Sequence, residues 1–286
     1  MGTYQPNVRE RLVARSLAAW RWETGRSGAD VCRAAGFSQA KLSKIENAHH
    51  PIKPTDVLAL AMIYEVSEDE RTRVCQAAER ALVPGWWEDL PPDVVMDALR
   101  DYIALESGAA RLRTFRTDLL PGLLQTRPYA LALANAFVPP PDEQTASRQV
   151  EARIKRQQRL FEEHDPLAVH AVITEAVLRR PVGGVNVLED QLVHLLELGE
   201  LGHVVVQVIP YSAGAYPSQG YCPFNILSFA EQHFDDVVYL DQLTGGRFVE
   251  TPQGRAAYTN NFAALERTAL GHAESAALIA KIVNGG

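Results

Sequence analysis

The chain has 286 residues, 47% of them hydrophobic and 22% charged, with a net charge of −7. At roughly 100 to 200 residues per domain this length points to two domains, and the composition excludes disordered, collagenous and coiled-coil chains. Residues 1–53 hold nine Lys or Arg against four Asp or Glu, a balance of +5 that leaves −12 for the remainder, so a polyanion is expected to meet the head and be repelled by the body.

No apolar run of about 18 residues occurs, and residues 1–11 are too polar for a leader core, which predicts a cytoplasmic protein without a membrane span. Cys32, Cys75 and Cys222 lie far apart with no CxxC pair. That spacing suits small buried hydrophobes in a reducing compartment, not a disulfide framework or a zinc site.

In chain order, Val8, Leu12, Val13, Leu17 and Trp20 recur at helical spacing and predict a helix over 8–22, ended by Gly25. Ser27 is placed to cap a second helix, with Val31, Ala34 and Ala35 inward and Gly36 as its left-handed stop. Ser38 caps a third, whose inward residues are Leu42 and Ile45. A fourth is expected over 55–64 and a fifth over 67–82, where Ser67 and Glu70 have the spacing of a capping box. Pro84-Gly85-Trp86-Trp87 and Pro91-Pro92 then interrupt the pattern. They place the domain junction between Val83 and Pro92, with the two Trp as a packing anchor.

Beyond the junction, 94–112, 127–137 and 142–163 read as helices, separated by the Leu119-Leu120-Pro121-Gly122 turn and by Pro139-Pro140-Pro141. The last has Glu151 and Lys155, and Gln158 and Glu162, four apart, and reads as a solvated helix. After Pro166, short runs rich in Val, Ile and Phe predict strands over 167–173, 203–209, 224–229, 237–240 and 247–249. A leucine-striped helix over 187–198 between the first two makes a parallel βαβ unit; the later strands are too close together for helices and should pair antiparallel. Helices over 253–269 and 272–283 close the chain. The fold class is therefore α+β: an all-α five-helix domain over 1–83, then a mixed α/β domain over 84–286.

Residues 27–47 have the dimensions of a helix-turn-helix. With Leu42 and Ile45 turned inward, the second helix leaves Gln39, Ala40, Lys41, Ser43, Lys44 and Asn47 outward, without an acid among them. Gln suits adenine, Lys suits guanine or phosphate, and Ala suits a thymine methyl, so this face is expected in a major groove of double-stranded DNA. Arg15, Lys53 and the first-turn amides are available to phosphates, and the capping Ser38 is counted with the DNA-binding residues. A merely polar outer face of a small bundle is the alternative reading.

The string Phe37-Ser38-Gln39-Ala40-Lys41-Leu42-Ser43-Lys44-Ile45-Glu46-Asn47, preceded by Gly36, resembles the SQxxxSxxEN recognition helix of the XRE or lambda-repressor-like family. The resemblance implies an ion pair between Arg21, late in the first helix, and Glu46. Where the family often has Gln to grip phosphate at the start of the second helix, this chain has Ser27-Gly28, so that contact is weakened or falls to Ser27. Further strings, Pro84-Gly85-Trp86-Trp87, Leu119 to Thr126, Leu178 to Gly184 and Val206 to Pro210, are similar to the long C-terminal domain of actinobacterial WhiJ-like, antitoxin-like regulators. That likeness implies transcriptional control and a small partner protein encoded nearby. The expected state is a homodimer, and the second domain is expected to dimerise, bind such a partner or sense a small-molecule effector. The rival reading is an antitoxin-like module that sequesters a partner, with DNA binding as autoregulation.

No GxSxG elbow, HExxH pair, GxGxxG or Walker loop is present, so no catalytic residue, metal or cofactor is expected. The loop over 210–223, with Tyr211, Tyr216 and Tyr221, is long for a compact domain. It reads either as a ligand or partner surface or as a lid packed on the sheet.

Overall fold

The computed structural model describes residues 8–231, 233–243, 245–249 and 251–285; the side chains of Val8, Asp97 and Ala98 also lie outside the described set, and with them Val8's expected place on the first apolar stripe. The amino-terminal region is helical: α1 (Val8–Glu23), α2 (Gly28–Ala35), α3 (Gln39–Glu46), α4 (Pro54–Ile63) and α5 (Glu68–Leu82). Leu12, Val13, Leu17 and Trp20 of α1 are all buried, and α5 packs on both α1 and α4. On α2 the inward residues are Val31 and Cys32, while Ala34 is exposed. At about 100° per residue, Val31, Ala35 and Cys32 share one arc of the helix and Ala34 falls outside it.

Two compact units divide the chain. The first runs to Asp89 and also contains Ala104–Gly108 and Ser228–Asp235, two later segments that no sequence pattern announces. Within it, Arg73 Nη1 donates to Ala230 O at 3.2 Å, and Arg80 pairs with the buried Glu231 at 3.3 Å. Trp87 is buried, its ring edge-on to Trp86 and covered by the Arg9 guanidinium.

The second unit is built on a six-stranded sheet ordered β3-β2-β1-β4-β5-β6: β1 (Arg111–Arg116), β2 (Ala168–Thr174), β3 (Val204–Ile209), β4 (Phe224–Ser228, whose last residue belongs to the first unit), β5 (Val237–Gln242) and β6 (Gly245–Val249). β1, β2 and β3 are parallel, with Phe115 opposite Val172 and Val172 opposite Gln207. β4, β5 and β6 pair antiparallel. The helices are α6 (Asp97–Gly108), α7 (Arg127–Ala134), α8 (Glu143–Gln157), α9 (Glu175–Arg179), α10 (Val185–Gly199), α11 (Pro252–Thr268) and α12 (His272–Val283). On one face of the sheet, Phe115, Val172, Ile209, Phe224, Ile226, Val238 and Leu240 share a core with Phe262 and Leu265 of α11. On the other, Tyr102 of α6 stacks 4.6 Å from Tyr239 of β5.

Three expectations are corrected. The helix predicted over 94–112 ends at Gly108, and Arg111–Arg116 is the central strand β1, with Leu112, Thr114 and Phe115 buried and Arg111, Arg113 and Arg116 not. The helix predicted over 142–163 stops at Gln157 and is not a solvated rod, because Ala146, Val150, Ala152 and Gln157 are buried and Glu151 is taken by Arg127. Cys222 is exposed and Cys75 half-buried; only Cys32 is a buried hydrophobe.

After β1 the segment from Leu120 to Thr126 is pinned by three buried glutamines. Gln125 Nε2 donates to Leu120 O at 2.7 Å. Gln157 Nε2 donates to Gly122 O at 3.1 Å and Gln125 O at 2.7 Å. Gln191, fully buried on α10, accepts from Thr126 N at 2.7 Å and donates to Leu124 O at 2.8 Å. Each amide satisfies main-chain groups that no helix or strand serves. Gln191→Ala strands one N–H and one C=O, so chemical denaturation should show a loss of about 2 to 5 kcal/mol, whereas an exposed substitution such as Glu189→Ala should leave the midpoint unmoved.

Candidate nucleic-acid interface

The two helices of the motif are cut to length by their caps. Ser27 Oγ accepts from Asp30 N at 3.2 Å, and α2 ends where Gly36 takes φ +68°, a left-handed turn that a Cβ would strain. Ser38 Oγ accepts from Lys41 N at 3.1 Å and starts α3. Leu42 and Ile45 are buried, and Gly28 on α2 lies near Leu42, where an added Cβ would sit 3.9 Å from its Cδ2.

The far end of α3 is tied to α1 by a bidentate pair. Arg21 Nε donates to Glu46 Oε1 at 2.6 Å and Nη2 to Glu46 Oε2 at 2.9 Å. These bonds to Glu46 raise the Arg21 pKa above its ordinary value. Tyr64, at the end of α4, is buried beside the pair; burial, then the Glu46 carboxylate, pushes its phenol up to about 12.

Ser38, Gln39, Ala40, Lys41, Ser43, Lys44 and Asn47 are all exposed, on one short segment with no acid among them. They are not equally free. Lys41 Nζ is 2.7 Å from Asp56 Oδ1 and sits over the Phe37 ring at 3.7 Å, so it braces α3 against α4. Asn47 Nδ2 donates to Ser43 O at 2.8 Å and closes the helix end. Ser27 Oγ donates to Asp30 Oδ2 at 2.6 Å, so its hydroxyl proton is engaged by an exposed carboxylate that Arg33 also holds. Gln39, Ser43 and Lys44 are the polar residues of this face whose side chains make no hydrogen bond or ion pair to the protein among the described residues.

Past the helix, His49 and His50 are exposed on the loop to Pro54, with exposed Lys53 at the start of α4. Sequence reasoning passed over the two histidines, although the adjacent pair directly after the motif is a visible signal. In the second unit the 210–223 loop is in part a cover: Tyr216 packs against the core and 6.1 Å from Phe115, and Ser218 Oγ donates to Asn261 Oδ1 at 2.6 Å. Tyr211 and Tyr221 stay exposed. Among the described residues no helix is long and apolar enough to cross a membrane, and no cluster of three His, Cys, Asp or Glu could hold a metal ion.

Residues 12–74 match the family model described as a helix-turn-helix domain, and residues 99–281, more than half of the chain, match the one described as Domain of unknown function (DUF5753). No curated protein and no solved structure matches the chain. The helix-turn-helix match supports a DNA-binding regulator.

Glu46 is the acid that orients α3 from within. Glu46→Ala leaves a half-buried guanidinium without its acid and should destabilise the head by about 1 to 3 kcal/mol. Glu46→Gln, which keeps one acceptor, should lose less when both are compared by thermal unfolding.

Proposed function

We propose that this chain, which belongs to the family of the Domain of unknown function (DUF5753) and carries a helix-turn-helix domain ahead of it, is a sequence-specific DNA-binding transcriptional regulator. The observation that carries the reading is the outward face of α3: seven exposed residues, two of them cationic, none acidic, on a helix whose inward residues are fully committed to the bundle. Gln39 and Lys44, unbonded within the protein, are assigned to base edges. Ala40 offers a methyl-sized contact, and Ser38 and Ser43 offer hydroxyls to the groove walls or phosphates. Lys41 and Asn47 act first as braces of the helix. Ser27 is left a cap, and the positive charge facing phosphate comes instead from Lys53, with His49 and His50 offering ring nitrogens beside it.

The likeness of residues 37–47 to the XRE recognition helix supports the same assignment. A single head of this size makes few contacts, so a homodimer reading two half-sites about one helical turn apart supplies the missing affinity. The second domain, on this reading, holds the spacing and responds to a small effector or partner protein through its differential affinity for the two states. No catalytic role is assigned to it. The place of action under this reading is the cytoplasm.

Selection of bound duplexes from a random pool, followed by fluorescence anisotropy on the enriched site, tests the assignment. Gln39→Ala and Lys44→Ala should each weaken specific binding by about 1 to 3 kcal/mol, with little effect on thermal stability. Lys41→Ala should lower stability at least as clearly as affinity. Unchanged affinity in both Gln39→Ala and Lys44→Ala overturns the register.

A further inference from the structure

The strand order reverses at β1: β2 and β3 extend to one side, and β4, β5 and β6 to the other. In open α/β sheets a reversal of this kind opens a crevice beyond the strand ends, where ligands sit. Arg116, the last residue of β1, stands at the reversal and bonds to both β4 and β5. Its Nη2 donates to Asn225 Oδ1 on β4 at 3.0 Å, its Nη1 to Asp241 Oδ2 on β5 at 2.8 Å, and its Nε to Thr114 Oγ1 at 3.3 Å.

α8 brings two more guanidinium groups to the pinned segment that follows β1. A Cβ on Gly122 would lie 3.9 Å from both Arg153 Cδ and Arg156 Nη1. Arg156 also lies over the Tyr102 ring, 5.4 Å from its centre. Arg153 Nη1 donates to Gln125 Oε1 at 2.5 Å, and Gln125 is itself buried and locked to Leu120 O. Among the described residues Arg153 therefore has a neutral amide as its hydrogen-bonded partner and no carboxylate. Burial, then repulsion from Arg156 and Arg116, lowers its pKa to about 10, against the pull of Asp241, which is already bonded to Arg116. A half-buried cation whose hydrogen-bonded partner is neutral is costly, and protein interiors pair such charges.

We propose that Arg116, Arg153 and Arg156, backed by Gln125, form the binding site for a small organic oxyanion, a carboxylate or a phosphate, whose oxygens complete the partners of Arg153. The proposal rests on the sensing role given above to the second domain, and names the chemistry sensed. Planar guanidinium forks match both classes of oxyanion in bidentate fashion. The rigid Leu120 to Thr126 segment holds Gln125 still, so the fork of Arg153 is aimed before the ligand arrives.

Thermal unfolding and isothermal titration calorimetry of the full chain, without DNA, test the site with inorganic phosphate and with citrate against chloride at matched ionic strength. At least one of the two should raise the melting temperature and bind; phosphate alone marks a phosphorylated ligand, citrate alone a carboxylate. Arg153→Gln should lose that gain, yet unfold in chloride no lower than the wild type, since the unpaired charge is gone. Arg153→Lys keeps the charge without the fork and should weaken binding by at least roughly tenfold. No gain with either anion in the wild type, or an undiminished gain in Arg153→Gln, overturns the site. DNA affinity measured with and without the bound anion separates the two ideas: a retained site with unaltered DNA affinity leaves the pocket standing and removes the sensing role.

Discussion

The two hydrogen bonds from Arg21 to Glu46 are the constraint on which the head depends. α3 is eight residues long, a length at which an isolated helix does not persist in water. Its shape comes from its attachments: the Ser38 cap at one end, Leu42 and Ile45 beneath, Lys41 tied sideways to Asp56, and Glu46 tied back to α1. Every one of these points inward or along the rim. The consequence is a short rod whose outer face keeps Gln39, Ala40, Ser43 and Lys44 clear of structural duties, while Lys41 and Asn47 brace it.

The caps and stops of this region were legible because they are local. Ser27, Gly36, Ser38 and Ser67 act on residues three or four positions away, and a linear pattern carries that information. The parallel and antiparallel halves of the sheet were legible from spacing between the apolar runs. β1 was not. Arg111, Arg113 and Arg116 break up the apolar pattern of this strand with three charges, and what makes the last two tolerable at the centre of a sheet lies far along the chain: Asp236 for Arg113, Asn225 and Asp241 for Arg116. Lys41 too is drawn aside by an acid outside its own helix, Asp56 on α4, though only 15 residues away. Ala34 was misplaced for a different reason: it lies about 60° from Val31 on the side away from Cys32, just off the buried arc of this short helix.

The string from Leu119 to Thr126 stands out in the sequence by its proline-glycine turn and by resemblance, and what holds it in place emerges only in three dimensions. It is an irregular stretch buried beside a sheet, where main-chain polar groups have neither water nor ladder to bond. Three glutamines from its own end, α8 and α10 take that duty, and each is buried. Glutamine on a helix reads in a linear pattern as a solvent-facing residue, so nothing in the sequence distinguishes Gln157 and Gln191 from surface residues.

The chain passes between its two compact units five times, and the eight residues from Ser228 to Asp235 belong with the head although they join two strands of the sheet. Phe229, Phe234 and Leu105 line one small hollow together with Leu12 and Ala77. Modular recombination of such regulators is thereby limited. A foreign head spliced on at the Trp86-Trp87 junction would lack the side chains, such as Arg73 and Arg80, that hold Ala230 and Glu231.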